Sequence, residues 1–237
     1  MGFTLPLVEL RSNMSDFNEF NLLLVRHGQS EINVLPDIIG QRGDSKLTDL
    51  GKRQAQLLGL RFEQQFQIFD HVYASDYNRA FDTAKIALPN YAAADRIVPV
   101  HDLREYSAGD WMEGSRSKVM TPQVLMQMGY MGNAFLPPNG ESMHQVERRA
   151  SIWLENTIIY NQDMIVEARR RRQDHKPKLN IVAFSHGMTI KCLLHYIMGF
   201  DQTFTWKLTL ENTSVTKLVF GEEGWRLITI NDHAHLL

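Results

Sequence analysis

Two apolar runs in this chain end in the same pair of residues. Leu22-Leu23-Leu24-Val25 runs into Arg26-His27-Gly28, and Lys178-Leu179-Asn180-Ile181-Val182-Ala183-Phe184 runs into Ser185-His186-Gly187. Runs of this length bounded by glycine read as buried strands, although periodicity alone leaves a helix segment open. In a parallel sheet both ends lie on one rim, so the two imidazoles can converge. That rim is where open α/β sheets place their ligands. Gly28 lets the backbone turn sharply and come close to a ligand. An imidazole beside a permanent positive charge is chemistry that suits a phosphate.

Strand and helix patterns alternate around these runs. Ser30 to Asp44 is polar and glycine-punctuated, a loop. Leu47-Thr48-Asp49-Leu50-Gly51 opens a helix, with Thr48 as N-cap and Ala55, Leu58, Leu60 and Phe62 as its apolar face. His71 to Ser75 reads as a strand. Asp76 and Asn78 offer capping oxygens to a helix from Arg79 to Leu88, which Pro89 stops. Ile97-Val98-Pro99-Val100 is a short strand whose proline favours an edge or an end. Residues 103–138 are irregular and methionine-rich, with a helix from Pro122 to Met128. One long helix is expected from Glu141 to about Arg170, turning Val146, Ala150, Trp153, Leu154, Thr157 and Ile158 inward. Met188 to Met198 follows the second His-Gly pair and is closed by Gly199. Val215–Phe220 and Trp225–Ile230 are alternating strands joined as a hairpin through residues 221–224. This order predicts an α/β fold: three layers, α/β/α, with a mostly parallel central sheet and an antiparallel element from the hairpin. Residues 1–20 read as a tail, in which Met14 is an alternative start.

Composition narrows the function classes. The chain has 237 residues, 43% of them hydrophobic, enough for a large core in one domain or two. Its net charge of −2 lacks the basic excess of a nucleic-acid binder, so no nucleic-acid partner is expected. No apolar run approaches the ~18 residues of a membrane span, so no membrane association is expected. Met1 to Leu10 has no cation ahead of its short apolar run and makes a poor signal peptide. Cys192 is the single cysteine, which rules out an intrachain disulfide and fits a cytoplasmic, reducing compartment. Oligomeric state is open, a homo-oligomer included.

Arg79 starts a helix that follows a strand, near the same rim as the two histidines. Helix N-termini favour anions, and arginine can hold two phosphate oxygens at once. Glu105 follows the third strand. Taken singly, each of these residues reads as ordinary surface charge or a structural histidine; together they describe a phosphate site.

In sequence order these residues resemble the histidine phosphatase superfamily, also called phosphoglycerate mutase-like, from about Asn21 to the C-terminus. Arg26-His27-Gly28 is similar to the signature tripeptide of that family. Asn33 matches its phosphoryl-contacting asparagine, and Leu47-Thr48-Asp49-Leu50-Gly51 its first-helix motif. Ala74-Ser75-Asp76-Tyr77-Asn78-Arg79-Ala80 matches the segment with the second phosphate arginine. Leu103-Arg104-Glu105 matches the acid/base position, Asn139-Gly140-Glu141-Ser142 a helix-opening motif, and Ser185-His186-Gly187 the second catalytic histidine.

The resemblance implies a domain spanning 21–237 with a lid or cap at 105–140, and a small phosphorylated substrate. It implies catalysis by His27, Glu105 and His186, with phosphate bound by Arg26, Asn33, Arg79 and His186. His27 would attack phosphorus and become phosphohistidine. Arg26 beside it should lower its pKa and keep it neutral. Glu105 would start protonated, with a raised pKa, to protonate the leaving alkoxide. No metal and no cofactor are implied.

Leu103 to Trp111 resembles the phosphatase version of its motif more than that of the mutases. Ile39 to Asp44 lacks the more aromatic loop of the mutases, and the 105–140 stretch looks short for their insertion. The expectation is therefore phosphomonoester hydrolysis. A phosphoglycerate mutase, or a non-enzymatic phospho-ligand or protein-binding member, is the alternative. The methionines around 120–136 suit a lid that meets an apolar portion of substrate, or ordinary packing. Arg169–Arg172 reads as a solvated helix C-terminus, with a patch that meets an anionic partner as the alternative. His101, His195, His233 and His235 are left as structural. The ending Asn231–Leu236 resembles a common family ending and is given no chemical role.

Overall fold

The structure, a computed structural model, describes residues 19–39, 45–65, 68–201 and 203–237. Most of the expected tail, including Met14, and residues 40–44 of the first loop lie outside these ranges.

Phe20–Arg26 forms strand β1 and a 3-10 turn, Glu31–Val34, follows it. Helix α1 is Asp49–Gln65, β2 His71–Ser75, α2 Asn78–Ala87, α3 Pro89–Ala93 and β3 Ile97–Val100. Next come α4, Arg116–Val119, α5, Pro122–Met131, α6, Met143–Leu154, and α7, Gln162–Gln173. Strand β4 is Leu179–Ser185, α8 Gly187–Met198, α9 Phe204–Lys207, β5 Val215–Gly221 and β6 Gly224–Asp232.

The six strands form one mixed sheet in the order β3-β2-β4-β1-β5-β6. The first four are parallel, β5 runs antiparallel to β1, and β6 to β5. The β3 edge carries Pro99, whose missing N–H costs nothing there. Side chains of β1 alternate between two cores, as a period of two requires. Leu22 and Leu24 pack with Ala150, Trp153 and Leu154 of α6 and with Ile190 and Leu193 of α8. Leu23 and Val25 pack with Leu58 and Phe62 of α1 and Ala84 of α2. Helices therefore cover both faces, the expected α/β architecture.

Several local expectations change. The long helix is two helices. A π-helical turn at Glu155–Ile159 ends the first, and the Asn161 side chain caps the second by accepting from the N–H groups of Asp163 and Met164. Thr157 sits in that turn and is only half-buried, whereas Ile158 is buried. Leu60 is 55% exposed, because residues 51, 55, 58 and 62 already define the inner stripe of α1. Asp76 does not cap α2; its carboxylate takes two N–H groups of Arg104, at 2.7 and 2.8 Å. Arg171 is not a solvated member of its basic run, since it pairs with Asp70 and Glu167. Thr48 does cap α1, through an N–H of Gly51 at 3.0 Å, and Gly199, at φ +63°, ends α8.

Candidate active site

Register brings the rim together. Arg26 lies opposite Ser185 in the β1–β4 pair, and Ala74 opposite Phe184 in the β2–β4 pair. The residues that follow, His27 and His186, leave adjacent strands at one level. Their ring centroids are 5.1 Å apart, and both side chains are buried.

Glycine permits this packing for a reason other than ligand approach. A Cβ on Gly28 would sit 2.6 Å from the carbonyl oxygen of Gly51, and one on Gly51 would sit 2.0 Å from that of Gln29. The two glycines let the first turn of α1 lie against the His27 turn. On the other side, the Gly28 N–H donates to Thr83 Oγ1 at 2.9 Å, and that hydroxyl donates to the Arg79 carbonyl at 2.6 Å. Thr83 thus ties the helix carrying Arg79 to the turn carrying His27.

The tautomer of His27 follows from its partner. His27 Nδ1 is 2.7 Å from the Gly28 carbonyl oxygen, which can only accept. Nδ1 therefore carries the proton and Nε2 holds a lone pair. His186 Nε2 is 2.8 Å from Ser75 Oγ, while its Nδ1 is buried with no hydrogen-bond partner. With the Ser75 hydroxyl donating to Nε2, the Nδ1–H of His186 remains as a donor. Burial pushes the pKa of His27 well below its ordinary value, with Arg79 and then Arg26 adding to the effect. His186 is lowered in the same way, by burial first and then by Arg79. The expected effect of Arg26 is present, but desolvation leads it.

Arg79 is buried at the start of α2, with its guanidinium 4.9 Å from the centroid of the Tyr77 ring. The same ring lies 4.8 Å from the Arg104 guanidinium and 5.6 Å from the His186 ring. Arg26 donates through one terminal nitrogen to the Leu210 carbonyl, and its Nε is buried with no hydrogen-bond partner. Asn33 lies further out. Its Oδ1 accepts from the N–H and hydroxyl of Ser30, so the amide donor is the part left for a ligand.

Glu105 is held on a rigid strap. Four successive carbonyls, from Asp102 to Glu105, accept from Arg149, Ser185, Thr189 and Arg149 again, at 2.6 to 3.2 Å. Arg149 is in turn held by Glu141. The Glu105 carboxylate accepts from the N–H groups of Tyr106, Met188 and Thr189. These N–H groups hold the Glu105 side chain at the N-terminus of α8.

Spacing gave no sign of Ser75, Thr83, Tyr77, Arg149 or Asn212, the last donating to the His27 carbonyl at 2.9 Å. Ser75 and Tyr77 stood inside a matched motif, which was the available signal. Among the described residues, no group of three or more His, Cys, Asp or Glu is placed to hold a metal ion. No helix among them is long and apolar enough to cross a membrane.

An α/β protein whose parallel strands deliver two buried histidines to one rim, flanked by two arginines and a glutamate, is a narrow class. Residues 22–233 match the histidine phosphatase superfamily (branch 1), and the chain belongs to that superfamily. A probable phosphoglycerate mutase of Yersinia enterocolitica is 31% identical over 223 residues, 91% of this chain and 94% of the relative. Its counterpart in Yersinia pestis is 32% identical, over 90% and 93%. The phosphoserine phosphatase of Entamoeba histolytica, solved as a mutant with phosphoserine, superposes with a TM-score of 0.73 at 22% identity, covering 92% of this chain and 100% of that one. A mycobacterial glucosyl-3-phosphoglycerate phosphatase gives 0.73 at 22% identity, over 90% and 99%. At such identities these two show likeness of fold.

Proposed function

We propose that this protein is a metal-independent phosphatase of small phosphomonoesters, acting through a phosphohistidine at His27 in the cytoplasm. The observation that carries the reading is the His27 tautomer: a buried neutral imidazole with its lone pair on Nε2. Nε2 attacks phosphorus, and the bond from phosphorus to the ester oxygen breaks. Arg26, Arg79, the Nδ1–H of His186 and the amide of Asn33 take the charge on the equatorial oxygens. Glu105 protonates the leaving alkoxide. It takes that proton from the entering phosphate ester, which arrives as its monoanion. In the second half Glu105 removes a proton from water, the oxygen attacks phosphorus, and the P–N bond breaks to release inorganic phosphate. Residues 105–140 act as a cap. Asp37 of the first loop is tied to it by Ser115 and Ser117, and α5 buries none of its residues, leaving Met126 and Tyr130 exposed.

The relatives called probable phosphoglycerate mutases support a second reading, phosphoryl return to a bound sugar acid. Against it, two arginines on the Glu105 side are already spoken for: Arg104 by Asp76 and Arg149 by Glu141. A substrate carboxylate finds no unpaired charge on either.

Acid-labile, alkali-stable label on His27 after mixing with an aryl phosphate tests the covalent step; its absence overturns it. Incubation with 3-phosphoglycerate and a trace of bisphosphoglycerate then separates the two readings. Free phosphate is expected, and formation of the isomer would establish the mutase.

A further inference from the structure

The chain ends in a turn that the chemistry above leaves unused, yet its hydrogen bonds lead to His27. Arg61 on α1 grips Asp232 through both terminal nitrogens and also reaches His235 Nδ1, at 3.3 Å. Guanidinium can only donate, so Nδ1 of His235 accepts and Nε2 carries the proton. Nε2 lies 3.0 Å from Thr213 Oγ1. That hydroxyl spends its own proton on the Asn212 carbonyl, at 2.7 Å, and therefore accepts from His235. The next two links fasten the nucleophile. Asn212 donates its side-chain amide to the His27 carbonyl, and the Thr213 N–H is shared between the carbonyls of Arg26, at 3.0 Å, and His27, at 3.3 Å.

Two more observations set this loop apart. Thr213 has φ +58°, a conformation that a β-branched residue adopts only when its surroundings impose it. His235 is a neutral link, its pKa pushed down to about 4 by burial and then by Arg61, so each bond keeps its direction at ordinary pH.

We propose that the C-terminal turn is a positioning element of the active site: a one-way hydrogen-bond chain from Arg61 through His235 to Thr213 and Asn212 fixes the His27 peptide and thereby the line along which its imidazole attacks. His235 touches no substrate in this role; it acts through the loop. The effect on rate rests on the reading of His27 as the phosphoryl acceptor, whereas the brace itself can be measured apart from it.

Rapid mixing of the full chain with an aryl phosphate reads the rate of His27 phosphorylation. His235→Ala should slow it about tenfold, the scale of a sub-ångström misplacement, with KM within about twofold of wild type. His235→Gln offers an amide oxygen to Arg61 and an N–H to Thr213, and should recover most of the rate. A wild-type rate in His235→Ala, or a folded His235→Gln no faster than the alanine variant, overturns the proposal. Should His235→Ala not fold, Arg61→Ala loosens the same turn, and an unchanged phosphorylation rate there overturns it equally. Hydrogen exchange decides the brace when no phosphoenzyme forms at all. The Thr213 amide should exchange faster in His235→Ala than in wild type, and equal protection refutes the chain of bonds.

Discussion

At the N-terminal rim of the sheet, Arg171 reaches from α7 and lays two N–H groups on Asp70. Asp70 also accepts the N–H of Asn180, and Glu167 takes a further N–H of Arg171. At the C-terminal rim buried Arg79 and half-buried Arg26 lie beside two neutral imidazoles, and the carboxylate of Glu105 is occupied by backbone N–H groups. One rim closes its charge on itself and fastens a helix. The other gathers guanidiniums and imidazoles where an arriving anion can meet them. The difference shows how one sheet divides stability from function: paired charge at one rim fastens a helix, and guanidiniums gathered beside imidazoles at the other suit an anionic ligand.

Removing the nucleophile gives the largest contrast. His27→Ala should abolish phosphoenzyme and lower turnover by at least about 10⁴-fold, as loss of a covalent nucleophile does. Turnover that survives would take the chemistry away from this rim altogether.

The comparison itself is tested by paired arginine variants. Arg79→Ala should cost about 10²–10³ in kcat/KM, the scale of one oxyanion contact, without lowering Tm. Arg171→Ala should leave kcat/KM unchanged and cost about 2–3 kcal/mol of stability. That figure is reduced from the ~3–5 of a fully buried pair, because Arg171 is partly exposed. Inorganic phosphate should raise Tm in wild type and much less in Arg79→Ala. If both arginines proved purely structural, the division between the rims would collapse.

Glu105→Gln sharpens the assignment within the functional rim. Loss should reach about 10²-fold on alkyl esters and stay below about tenfold on activated aryl esters, whose leaving groups need no proton. Equal losses on both would leave Glu105 as a positioning group on the α8 amides.

The same contrast explains what the sequence reveals. The sheet and the meeting of His27 with His186 are legible because a strand is a local pattern, and two parallel strands carry their ends to one level. Pro99 at an edge and Gly199 at a helix end are legible because each is a backbone constraint carried by one residue. The bonds that hold the site are not. Ser75 to His186, Ser185 to Leu103 and Asn212 to His27 join residues 111, 82 and 185 positions apart, and no spacing encodes them. The broken helix at residues 155–161 is hidden for the opposite reason. Its apolar period continues through the break, and only the capping oxygen of Asn161 marks the restart. Burial as the leading cause of the lowered imidazole pKa values is likewise a property of the assembled rim.

Acid should expose the rims' difference with the smallest effect. His27 and His186 stay neutral when folded, with pKa values well below the ordinary imidazole range. Once unfolded they titrate near 6.5. Above that pH neither state binds the protons and the two groups contribute no slope. Below it the unfolded chain takes protons that the folded rim refuses, so stability falls as pH drops from about 6.5 toward the folded values, by about 1.4 kcal/mol per pH unit for each group. Urea titrations at pH 7.0, 6.0 and 5.0 should show this decline, and His186→Gln should make it shallower by one group's share. Over the same range kcat/KM, corrected for ionisation of the ester, should hold, because His27 keeps its lone pair. An acid limb near pH 6.5 accompanied by flat stability would mean that these imidazoles are charged in the native protein, and that the positive rim is built from four cations.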